Sequence, residues 1–346
     1  MTKTWTTLLG ASLALAAFVW RIVHVRSVEN AKIRAKLQRW RRSSVIQELC
    51  VKYGLSVDGG FLPTECVRRL SSPKFVAWEM IVDNLPELNH NGELASWIES
   101  LPVIDASDIQ EEGELHRAYI VLTMLLHSYV HGPSVPWPRK DSDSSPSTSP
   151  SNRRVPPQLS VPLVSVCLRL GLPPVLTAAM DLWNWEVQGV RKFVKQHSSS
   201  TRAPRPEDLA LISSMTGTRT ERFFHMIPCS MQATLGPLIT PLFLMPEHVL
   251  EKMKHAEGFE LLVLEEQLEG LLLQLMSALN ECQHRLSQIK TLVDRSTFYD
   301  VYRPLLNGFW PEGIVLEGVS LQDCLKISEA SMKADEGGYW AGSTEA

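Results

Sequence analysis

The chain lacks the parts of a zinc, thiol-exchange or hydrolytic site. Its six cysteines (Cys50, Cys66, Cys167, Cys229, Cys282, Cys324) are widely spaced with no C-x-x-C pair, a pattern of reduced thiols in an intracellular protein. His127 and His131 share the four-residue spacing of a metal-binding helix, but H-S-Y-V-H lacks the glutamate of an H-E-x-x-H site. No catalytic triad or carboxylate pair is evident. β-Branched alternation is sparse, while apolar residues recur at helical intervals over most of the body, so the fold class is all-α. Acidic residues are nearly missing from the first 42 positions, where nine Lys/Arg face one acid, Glu29. With 34 basic and 38 acidic residues in all, the remainder carries 25 against 37 and a net charge of −12. A body of that sign repels phosphate backbones, which argues against nucleic acid as a partner.

What is present is a hydrophobic fraction of 44% over 346 residues, ample for a packed core. Thr4 to Trp20 is an uncharged 17-residue run, followed by Arg21, Arg26, Lys32, Arg34, Lys36, Arg39, Arg41 and Arg42. The run is at the short edge of a membrane-spanning helix, and its basic C-terminal flank would leave the body in the cytosol. A cleaved signal peptide, a mitochondrial presequence and a plain cytoplasmic protein are the alternatives. Only Lys3 precedes the apolar run, so residues 1–42 are read as an anchor with a basic flank.

The longest helical pattern runs from Glu257 to Val293. Leu261, Leu264, Leu268, Leu271, Leu275, Leu279, Cys282, Leu286, Ile289 and Val293 are expected on the core side. Glu265, Glu269, Gln274, Glu281, Arg285 and Lys290 are expected toward solvent, with a bend at Gly270. Gly132 to Ser160 is rich in Pro and Ser and is expected to be a mobile loop. Gln196 to Pro206 separates two helical blocks and marks a domain boundary near residue 200.

Five stretches in order carry a family resemblance. They are Gly60-Phe61-Leu62-Pro63, HRAYIVLTMLLHSYVHG (His116 to Gly132), VPLVSVCLRLGLPPVLTAAMDLWNW (Val161 to Trp185), RFFHMIPCSMQATLGPL (Arg222 to Leu238) and STFYDVYRPLLNGFWPEGIVLEGV (Ser296 to Val319). Together they resemble the indoleamine 2,3-dioxygenases, in a fungal-type form. The resemblance implies a small helical domain, residues 43–200, capping a larger heme-binding helical domain that begins at 201 and runs to 346, where it is incomplete. It implies heme b as cofactor, O2 as co-substrate, and L-tryptophan or a related indoleamine opened to N-formylkynurenine.

Carried over residue by residue, Arg303 matches the arginine that holds the substrate carboxylate, a task suited to the planar guanidinium fork. The competing role for Arg303 is a pair with Asp300. Phe298 and Phe224 match indole-contacting and distal-pocket phenylalanines, and as isolated aromatics would be plain core. On a helix, Phe298 and Arg303 are expected on neighbouring faces of one wall. Leu306 and Gly308 would continue it. Trp183, Met180 and Thr177 fall on the far side of the pocket, with ordinary packing as the alternative. Pro228 stands at a cofactor-side position where many members have serine, so a hydroxyl and an amide proton are lost. Gly342, Ser343 and Thr344 resemble the start of a loop beside the heme edge.

The proximal histidine is expected beyond Ala346, and no residue here matches it. His225, beside Phe224, is not expected to replace it. The chain as written is therefore expected to give no native-like heme spectrum, and a non-catalytic homologue or membrane-tethered interaction protein is the alternative function.

Overall fold

The computed structural model describes residues 55–56, 59–137, 153–174, 176–188, 203–308 and 313–327, arranged in two compact units. The first unit takes in residues up to Phe61 and Leu235–Glu281, and the second Leu62–Thr234 and Cys282 onward. Both sides of residue 200 contribute to the second unit. The Thr4–Trp20 segment lies outside the described residues. Among those described, no helix is long and apolar enough to cross a membrane.

The second unit is built around one helix. Its helices are α1 (Val76–Asp83), α2 (Leu85–Asn91), α3 (Leu94–Glu99), α4 (Glu112–His131), α5 (Pro157–Leu170) and α6 (Leu176–Trp183), followed by the start of α7 (Arg219–Met253). From Ala118 to His131 every residue of α4 is buried. A helix that is apolar on most sides needs cover all round, and α1, α5 and α6 provide it. Glu79 and Arg117 are the price of that centrality. Each is 2% exposed, and they pair through Arg117 Nε to Glu79 Oε1 at 3.0 Å and Nη2 to Oε2 at 2.5 Å. The Leu70 amide donates to Glu79 at 3.0 Å, and Arg117 Nη1 donates to Ser213 Oγ at 2.9 Å.

Among the described residues few are in strands, and these form two short ladders that the sequence pattern did not reveal. β1 (Arg154–Val155) runs parallel to β4 (Val315–Leu316), and β2 (Trp185–Val187) antiparallel to β3 (Leu209–Leu211). Runs of two or three residues are too short to show alternation. The first ladder also corrects the expected loop. Residues 138–152 lie outside the described residues, but Arg154 to Ser160 is ordered as β1 and the start of α5. Ser160 Oγ donates to the Glu317 carbonyl, next to Gly318, whose φ of +75° only glycine adopts without strain.

In the first unit the Gly60 and Gly236 motifs meet. A Cβ on Gly236 would fall 2.4 Å from the Gly59 carbonyl oxygen, so no larger residue fits there, and Gly60 turns the chain at φ +62°.

Helix α8 (Phe259–Ser287) ends earlier than Val293, and its buried stripe is rotated from the expected one. Leu264, Gly270, Ala278, Cys282 and Arg285 are buried, whereas Leu279 and Leu286 are about half exposed at 50% and 49%. Arg285, expected toward solvent, is 3% exposed because its Nη1 donates to the Pro204 carbonyl at 2.6 Å and the Ser230 carbonyl at 2.9 Å. Satisfied donors make such burial tolerable.

Candidate functional site

Two segments of the second unit bring the candidate residues together, and each is fixed by a carboxylate. At the head of α7, Thr218 Oγ1 accepts from the Glu221 amide at 3.1 Å. The Glu221 carboxylate, buried, accepts from the Met215 and Thr216 amides, both at 2.8 Å, and from the hydroxyls of Ser214 and Thr216. That closure sets the phase of Phe223, Phe224 and His225. Four residues on, Pro228 is half-buried inside the helix and has no N–H for the Phe224 carbonyl, so the first turn after Phe224 lacks its usual hydrogen bond.

The second segment starts at Asp294, whose amide donates to Thr220 Oγ1 at 3.1 Å. Its carboxylate accepts from the Thr297 amide at 2.8 Å, Ser296 Oγ at 2.7 Å and Thr297 Oγ1 at 2.9 Å. These hydrogen bonds to the charged form hold its pKa below the ordinary carboxylate value. Thr297–Tyr302 then forms a π-helical turn, and the Arg303 amide donates to the Phe298 carbonyl. This sharpens the expected wall. In an α-helix, five residues would separate the two side chains by about 140° around the axis. The five-residue hydrogen bond instead sets Arg303 one turn above Phe298.

Across the segments, Phe224 and Phe298 pack with ring centroids 4.9 Å apart and planes tilted by 33°. Both rings are half-buried against the core. Such a pair contributes about 0.5–1.5 kcal/mol beyond its buried area, and its open edge forms an apolar wall. Arg303 is exposed with its guanidinium carbon 5.3 Å from the centre of the Tyr299 ring. Among the described residues no carboxylate is within 4.0 Å of it, so the pair with Asp300 does not form. Leu306 is half-buried against the same core and Gly308 is exposed just beyond. Gly342, Ser343 and Thr344 lie outside the described residues.

The far-side residues have packing roles. Met180 is fully buried, with its sulfur accepting from Asn184 Nδ2 at 3.0 Å. Trp183 stacks on His116 with centroids 3.9 Å apart and meets Tyr119 edge-on. Thr177 is half-buried.

Two buried histidines tie elements together in different ways. His127 Nδ1 bonds the Leu305 carbonyl at 2.9 Å, tying α4 to the arginine segment. Burial lowers its pKa to about 4. Because the folded pKa is below the unfolded value of about 6.5, the unfolded state binds more protons between those values, and stability is lost as pH falls through that window. Thermal melts from pH 7 to pH 4 are expected to show a loss of order 3 kcal/mol from this group, much reduced in His127→Gln. A flat profile would contradict it. His225 has both ring nitrogens engaged, Nδ1 with Asp181 at 2.6 Å and Nε2 with the Tyr302 hydroxyl. Sequence reasoning considered His225 only as an iron ligand and missed Asp181 and Tyr302. The available signal was a tyrosine in an apolar turn, which needs a partner for its hydroxyl.

Comparisons with known proteins place the chain in a family. A family model described as indoleamine 2,3-dioxygenase matches residues 49–343. An indoleamine 2,3-dioxygenase of Aspergillus candidus is 28% identical over 269 residues, covering 77% of this chain and 58% of that protein. A 6-hydroxytryptophan 2,3-dioxygenase of Fusarium equiseti is 26% identical, covering 74% and 55%, and indoleamine 2,3-dioxygenase 1 of Rattus norvegicus is 24% identical, covering 78% and 59%. The chain thus spans somewhat over half the length of these relatives. With 295 of its residues inside the family match, the chain belongs to the indoleamine 2,3-dioxygenase family.

Proposed function

We propose that this chain forms the substrate side of a heme-dependent dioxygenase that opens the indole ring of L-tryptophan to N-formylkynurenine. The observation that carries this reading is the Phe224–Phe298 pair with, on the same segment, an arginine whose amide bonds the Phe298 carbonyl, whose guanidinium lies over Tyr299 and which has no carboxylate partner among the described residues. The aromatic wall suits the indole face, and the Arg303 fork suits the amino-acid carboxylate. Holding both ends of one small molecule fixes which ring edge is presented to oxygen.

Heme, when bound, would supply the oxygen chemistry. We read the described residues as the substrate side of such a centre. No group of three His, Cys, Asp or Glu is placed to hold a metal among them, and His225 is fully engaged. What these residues contribute is therefore recognition and exclusion of water. A ring-substituted tryptophan, as in the name of the Fusarium relative, would use the same carboxylate contact.

Heme-loaded protein, given L-tryptophan and isotopically labelled O2, is expected to yield N-formylkynurenine with both new oxygens labelled. Bound heme and bound tryptophan with no product would favour a non-catalytic homologue. We further propose that Thr4–Trp20 tethers the protein to a membrane with the body in the cytosol. Carbonate extraction should leave it in the pellet, and release into the supernatant would refute the tether.

A further inference from the structure

Asp181, His225 and Tyr302 form a hydrogen-bonded series that substrate recognition leaves unused. They come from three elements: α6, α7 and the last residue of the π turn. His225 and Tyr302 are fully buried, and the Asp181 side chain is 16% exposed. Burial, with the carboxylates of Glu221 and Asp181 nearby, pushes the Tyr302 pKa well above its ordinary value. The hydroxyl therefore keeps its proton, and the His225 ring bridges the two groups, hydrogen-bonding Tyr302 through Nε2 and Asp181 through Nδ1.

The series also touches the wall. The Tyr302 ring meets Phe224 edge-on at 5.8 Å between centroids and lies 6.4 Å from Phe298. π-Helical turns are rare and persist where surrounding contacts over-determine them. Here the turn has a polar anchor on its last residue, next to Arg303.

We propose that Asp181, His225 and Tyr302 are positioning residues that hold Thr297–Tyr302 in its π register and so keep Arg303 above Phe298. The inference rests on the substrate reading of Phe298 and Arg303 given above. If the turn relaxed to α-helical register, Arg303 would swing away from the wall while the Phe224–Phe298 pair could still meet an indole.

Tyr302→Phe removes one hydroxyl and keeps the ring. In this variant amide exchange between residues 298 and 306 is expected to rise about five- to tenfold, with α4 amides unchanged. L-tryptophan affinity should fall by a similar factor while that of indole, which has no carboxylate, stays the same. Asp181→Asn keeps an acceptor for His225 Nδ1 and should remain within about twofold of the wild type, whereas Asp181→Ala should behave like Tyr302→Phe. If Tyr302→Phe does not fold, the two Asp181 variants give the same comparison. Unchanged exchange at 298–306, a uniform rise across the unit, or equal loss of indole and L-tryptophan would overturn the proposal. If wild-type L-tryptophan binding is indifferent to Arg303→Ala, the substrate reading fails instead, and the local exchange pattern still decides the positioning role.

Discussion

Glu79→Ala is expected to destabilise the second unit by about 3–5 kcal/mol, because it strands the Arg117 guanidinium in the core without its partner. Arg117 is 2% exposed, and its bond to Ser213 Oγ carries no compensating charge. The lost carboxylate also frees the Leu70 amide. A loss of that size is a large part of the margin of an ordinary domain. Urea unfolding followed by tryptophan fluorescence would measure it as a lower midpoint at unchanged slope. Replacing both partners together with apolar residues of similar volume should cost far less, since the desolvation of both charges disappears with them. A loss under about 1 kcal/mol for Glu79→Ala would mean that water reaches Arg117, against its burial.

Arg303→Ala is expected to weaken L-tryptophan binding by about 10- to 100-fold, the contribution of a charge-assisted bidentate contact. Stability should barely change, because the side chain is exposed and rests on the Tyr299 ring. Tryptamine, which keeps the indole and lacks the carboxylate, should bind wild type and variant alike. Arg303→Lys should recover only part of the loss, since an ammonium holds a carboxylate as a point charge. Titration calorimetry with the two ligands separates these outcomes, and equal weakening of tryptamine would show that Arg303 acts on the wall rather than on the carboxylate.

The candidate residues were drawn from motifs in the sequence, and their geometry was not legible there. Ordered motifs brought Phe224, Phe298 and Arg303 forward, and helical periodicity gave the all-α class. The π turn that aligns Phe298 with Arg303 depends on bonds to distant residues, Tyr302 to His225 and Leu305 to His127. A local pattern shows at most that the Tyr302 hydroxyl needs a partner, not which residue supplies it. The rotated face of α8 has the same cause. Periodicity assigns arginine to solvent, but Arg285 finds carbonyl acceptors at Pro204 and Ser230, so the buried stripe follows Ala278, Cys282 and Arg285 rather than Leu279 and Leu286. Arg117 escaped notice for that reason too, since its partner Glu79 lies 38 residues away. Hydrophobicity scales cannot anticipate a polar group whose partners arrive with the fold.

The most direct test of the substrate side is where L-tryptophan sits on the protein. Intermolecular nuclear Overhauser contacts from its indole protons are expected to fall on the rings of Phe224 and Phe298, with the carboxylate shifting the Arg303 guanidinium resonances. Indole contacts elsewhere in the chain, or an Arg303 signal that ignores the ligand, would contradict this account.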